Sequence, residues 1–142
     1  MNSGRILFLD IETVAGHQTY AELDTRRQAL WQKKAGRFVP RDQKGIDAQD
    51  INWEEIYQDR AAILAEFGKI ICISVGYLVS TPNGEWGMRI KSFSDRDERA
   101  VLNQFKDLIQ NSFADHTFSA ICGHNVKEFD IPYICRDRKS VV

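Results

Sequence analysis

The chain has 142 residues, enough for one domain with a real core, and its 43% hydrophobic and 27% charged composition excludes a disordered or fibrous protein. A formal net charge of −1 gives a polyanion little long-range attraction. That disfavours a protein that coats nucleic acid, and any anionic substrate must be held by a local basic patch or by metal.

The first element is an apolar strand, Arg5-Ile6-Leu7-Phe8-Leu9, running into Asp10-Ile11-Glu12-Thr13. An unbroken apolar run predicts a central strand covered on both faces. Successive strand residues point to opposite faces, so Asp10 and Glu12 share one, at the mouth of the sheet. Two carboxylates held there are costly without a positive charge between them, and a divalent metal is the simplest candidate.

Tyr20, Leu23, Leu30 and Trp31 recur at helical spacing among charges and predict an exposed amphipathic helix from 18 to about 35. Lys33, Lys34, Arg37, Arg41 and Lys44 follow as a basic segment broken by Gly36, Pro40 and Gly45. It reads equally as a phosphate grip and as a solvated loop. Trp53, Ile56, Tyr57, Ile63, Leu64 and Phe67 predict a second helix with Gly68 as its stop. Residues 14–69 therefore read as a helical insertion between the first and second strands rather than a separate domain.

Lys69 to Val79 is β-rich, Pro82-Asn83-Gly84 is a turn, and Trp86 to Phe93 alternates apolar and polar, which together predict a hairpin. Ser94 reads as a helix cap ahead of the acids Asp95, Asp97 and Glu98, with Val101, Leu102, Phe105, Leu108 and Ile109 as the inner stripe. Phe118 to Gly123 is a short strand. Pro132 suits the first turn of a helix starting near Asp130. The order predicts an α/β domain with a mixed sheet, an antiparallel hairpin plus a parallel strand, flanked by helices.

Cys72, Cys122 and Cys135 are odd in number and lack a C-x-x-C, so they read as reduced thiols in the core. His17 and His116 read as solvated, His124 as a loop residue beside the site, and the three tryptophans as core. No apolar run is long enough to span a bilayer and the N-terminus has no leader-like pattern, so a cytoplasmic protein is expected.

Asp10-x-Glu12 at the end of a strand, with Asn125-x-x-x-Phe129-Asp130 after a later one, resembles the DEDD 3′–5′ exonucleases of ribonuclease-H-like fold. Within them it is most similar to the branch related to the proofreading domain of family-B DNA polymerases, a likeness shared by Phe67 to Tyr77. It covers residues 5 to 136. The resemblance implies that Asp10, Glu12 and Asp130 are catalytic and bind two Mg²⁺ or Mn²⁺ ions, about 3.5–4 Å apart in such sites. It places Ile11, Thr13, Asn125 and Phe129 at the substrate and makes the partner a nucleic acid, single-stranded DNA 3′ ends above all. An exoribonuclease of the same fold and a non-catalytic nucleic-acid-binding module are the alternatives.

One departure leads to the expectation that this chain itself is inactive or nearly so. The family's third motif is a Tyr or His followed three residues later by Asp, and none follows Asp130. Tyr133 to Arg136 reads Y-x-x-R, and Asp137 lies one position too far. The expectation is a fragment lacking its C-terminal strand and helix, with residues 137–142 as a non-native tail.

Overall fold

The computed structural model describes residues 5–115 and 119–137, the last two by backbone alone. The chain forms two compact units, residues 1–12 with 70–142, and residues 13–69.

The first unit is built on a four-stranded sheet. Its strands are β1 (Ile6–Ala15), β2 (Gly68–Ser80), β3 (Trp86–Ser94) and β4 (Ala120–Cys122), in the order β3-β2-β1-β4. β1 and β4 are parallel, pairing Ile6 with Ala120 and Phe8 with Cys122, and the other neighbours are antiparallel. The sheet is thus mixed and the domain α/β, as the element order predicts. The β2–β3 hairpin pairs Ser80 with Trp86 through to Cys72 with Ser94. Its turn closes with Thr81 donating to the Glu85 carbonyl at 2.8 Å and with Gly84 at φ 81°, left-handed space that glycine enters without strain.

Helix α3 (Glu98–Ser112) packs on β3 and buries Val101 and Phe105. The Phe113 ring beyond its end meets Tyr77 edge-on at 5.9 Å. On this side of the sheet Leu7, Leu9, Ile11, Ile73 and Phe93 are buried. The opposite side carries Phe8, Gly76 and Met88 in contact, and there Trp86, Met88 and Ile90 stay exposed. The expectation of a first strand covered on both faces is therefore corrected: Leu7 and Leu9 are buried, but Ile6 and Phe8 are only half-buried. Apolar residues on both faces of a strand do not by themselves ensure that both faces are covered. Helix α4 (Asp130–Asp137) begins where Pro132 predicts.

The second unit has its own core. Helix α1 (Thr25–Ala35) is capped by Asp24, which accepts from the Arg27 amide at 2.8 Å. Helix α2 (Trp53–Arg60) is capped by Asn52, which accepts from Glu55 at 3.2 Å. Trp31 meets Tyr57 and Phe67 edge-on, each at 4.9 Å, and Leu23, Trp53, Ile56 and Leu64 close around them. Burial pushes the Tyr57 hydroxyl pKa up.

Several sequence expectations are corrected. The first helix starts at Thr25 because Asp24 supplies the cap; residues 20–22 form only a 3₁₀ turn. The second ends at Arg60 and tightens into a 3₁₀ turn, so Gly68 opens β2 rather than stopping a helix. That path brings the Phe67 carbonyl to the Gly16 amide at 2.7 Å. Ser94 closes β3, and Asp97 caps α3, accepting from the Arg99 amide at 3.0 Å. Cys122 and Cys135 are exposed and Cys72 half-buried, all three free, so the thiols are not core residues. Trp31 and Trp53 are core, but Trp86 is 59% exposed. His17 is half-buried, its Nε2 3.3 Å from Arg27. His116, Phe118 and the tail from 138 lie outside the described residues. Among the described residues no helix is long and apolar enough to cross a membrane.

Candidate functional site

The predicted acids stand where β1 outruns its neighbour. β4 ends at Cys122, opposite Phe8, so the β1 edge beyond Leu9 is open to a side chain. The chain then turns away sharply. Gly123 lies so close to β1 that an added Cβ would collide with the Leu9 carbonyl oxygen. Asn125 adopts φ 53°, a left-handed conformation that Asn tolerates better than most residues, and its carbonyl accepts from the Glu128 and Phe129 amides, each at 3.0 Å. Val126 is buried beneath this knuckle and accepts from the Ile131 amide at 2.9 Å. The knuckle delivers Asp130 as the first residue of α4.

Asp130 is the one buried charged residue among those described, at 2% exposure. Its Oδ1 accepts from the Ile11 amide at 3.1 Å, across 119 positions of sequence. Ile11 is the residue between Asp10 and Glu12. The late acid is thereby fixed to the middle of the early pair. Burial pushes the Asp130 carboxyl above the usual carboxylate range, against the pull of its own amide and that of Ile11; the Asp10 charge adds to the rise and His124 offsets part of it. Asp10 and His124 are therefore within electrostatic reach of Asp130.

Asp10 and Glu12 are both exposed, and strand alternation sets them on the side opposite Leu9 and Ile11. Oxygen donors of this kind suit a hard divalent cation. Among the described residues, however, no three acid, histidine or cysteine side chains converge closely enough to hold a metal ion. The donor chemistry fits Mg²⁺ or Mn²⁺, but a closed three-ligand cage is not preformed.

The four residues expected at the substrate divide. Asn125 is exposed on the knuckle, and Phe129 is half-buried with its ring 5.4 Å from that of Tyr133. The Ile11 side chain is buried, and its amide is engaged by Asp130. Thr13 belongs to the helical unit, where its hydroxyl donates to the Ala62 carbonyl at 2.9 Å. Sequence reading overlooked Gly123, whose signal was a glycine closing a strand immediately before the His-Asn pair. No family model, curated protein or solved structure matches the chain.

Proposed function

We propose that this chain is built for metal-dependent hydrolysis of phosphodiester bonds at nucleic-acid 3′ ends, as a 3′–5′ exonuclease domain of ribonuclease-H-like type acting on DNA. The observation that carries the reading is the Asp130 carboxylate tied to the amide between Asp10 and Glu12. A buried acid is expensive to keep, and hydrophobic burial alone gives no reason to put one there. Its place beside two exposed acids favours a site that handles a cation and the charge of a phosphate.

Asp10, Glu12 and Asp130 would hold Mg²⁺ or Mn²⁺. When bound, such an ion lowers the pKa of a coordinated water and offsets the charge that builds on the phosphate. The chain itself contributes placement. Ile11 holds Asp130 in one orientation, and Gly123 allows the knuckle to approach β1. Asn125 and Phe129 stand on that knuckle, where a terminal nucleotide would lie, and His124 lies within electrostatic reach of Asp130. Asp10, Glu12 and Asp130 bind the ion and no residue is assigned here to orient the attacking water, so little or no turnover by these residues alone is expected.

The test is a Mn²⁺ titration of the intact chain by calorimetry, paired with a 5′-labelled single strand incubated with stoichiometric protein. Saturable binding is expected, weakened about tenfold or more by Asp10→Ala or Asp130→Ala, a loss of ~1.4 kcal/mol or more. Little or no shortening from the 3′ end is expected with it, and any that occurs is expected to be abolished by Asp10→Ala. No saturable Mn²⁺ binding, or shortening indifferent to Asp10→Ala, overturns the reading.

A further inference from the structure

The helical unit carries a second feature that the acids do not explain. Arg37 lies on the turn after α1, and Arg60 is the last residue of α2. The guanidinium carbon of Arg37 is 4.8 Å from the centroid of the Phe38 ring and that of Arg60 is 5.7 Å from the same centroid. Phe38 is itself anchored, half-buried against the Trp31–Tyr57–Phe67 core. Both arginines are exposed.

Two nearby cations have protein partners. Arg27 donates to the Glu66 carbonyl at 2.8 Å, and Lys34 pairs with the Glu66 carboxylate. Arg37 and Arg60 differ. Asp59 and Asp42 are close in sequence, yet among the described residues neither guanidinium has a carboxylate partner within 4.0 Å. Two like charges gathered on one ring repel, and ring attraction recovers only about 0.5–1 kcal/mol each at an exposed site. An anion is the natural complement. A guanidinium held against a ring keeps its N–H fork free for bidentate contact, the geometry that suits phosphate. Lys33, Arg41 and Lys44, all exposed, extend the positive charge along the same segment, which suits a string of phosphates better than a single one.

We propose that residues 33–44 with Arg60 form a binding site for the phosphodiester backbone of nucleic acid, centred on Arg37 and Arg60 over Phe38. It needs none of Asp10, Glu12 and Asp130, and it holds whether or not the chain hydrolyses anything.

The test is fluorescence anisotropy of a labelled oligothymidylate of about 16 nucleotides, within the usual span of single-strand sites. It uses the full chain in EDTA, so the acids contribute no metal-dependent affinity. Arg37→Ala with Arg60→Ala is expected to weaken binding about tenfold or more and to flatten the dependence of log K on log salt by about 1.4, the equivalent of two phosphates on a single strand. Far-UV circular dichroism establishes that the double variant is folded. Arg26→Ala, an exposed arginine elsewhere on α1, is expected to bind nearly as the parent does. Oligouridylate of the same length is expected to bind comparably, because the contacts are to phosphate. An unchanged affinity in the folded double variant overturns the proposal. So does an equal loss from Arg26→Ala, which would mean diffuse attraction, or a strong preference between the two polymers. Asp10→Ala separates the two proposals: it should weaken Mn²⁺ binding, abolish any strand shortening and leave this binding intact.

Discussion

Asp130 is where sequence and chemistry meet most directly. Its burial favours the neutral acid, and its folded-state pKa is raised. A carboxyl whose pKa is higher folded than unfolded binds more protons in the native state, so stability falls as pH rises through the window between the two values. Asp130→Asn keeps an oxygen to accept from Ile11 and removes the charge. Its urea midpoint is expected to exceed that of the parent near neutral pH and to approach it below the ordinary carboxylate pKa, while Mn²⁺ binding is lost. A variant less stable than the parent at neutral pH would show that the ionised carboxylate is structurally required. The pairing of Asp130 with the first strand was legible in sequence only through the likeness of two motifs. The hydrogen bond to Ile11 was not legible, because it joins positions 119 apart and depends on how β4 ends. The exposed thiol of Cys122 was misread because apolar neighbours suggest burial, whereas β4 is a sheet edge with all three of its residues exposed.

At the scale of elements, local chemistry was readable where it was strong. Pro82-Asn83-Gly84 between alternating runs identified the hairpin, and the apolar stripe of α3 identified that helix. Starts and stops were harder. Ser94, Asp95 and Asp97 are all plausible caps by type, and the choice went to Asp97 because β3 continues through Ser94 in its pairing with Cys72. Asp97→Ala is expected to lower stability by about 1 kcal/mol through loss of the bond to the Arg99 amide, measured as a shift in the urea midpoint. Ser94→Ala, tested alongside, is expected to change little. Tertiary pairing decided the boundary, as it did at Gly68.

Across the whole molecule the two compact units have separate cores, and the three tryptophans report on them unequally. Trp31 and Trp53 are enclosed in the helical unit, and Trp86 stands open on β3. Acrylamide is expected to quench one accessible, red-shifted component. Trp86→Phe is expected to abolish that component with a change in stability of about 0.5 kcal/mol or less, typical of a surface site. Persistence of the component in Trp86→Phe would place Trp31 or Trp53 in contact with solvent. The mixed sheet was readable from the order of elements. The compactness of residues 13–69 was not, since amphipathic stripes show that a core exists without showing whose core it is.

The bond between Ile11 and Asp130 also sets a timetable. During synthesis β1 leaves the ribosome long before β4 and Asp130 exist, and at roughly 5–20 residues per second the wait is on the order of ten seconds. For that interval one side of an apolar nascent strand has no native neighbour, with only the β2 hairpin able to shelter the other. The β1 edge that β4 covers is therefore the last edge of the sheet to gain its native neighbour as the chain emerges.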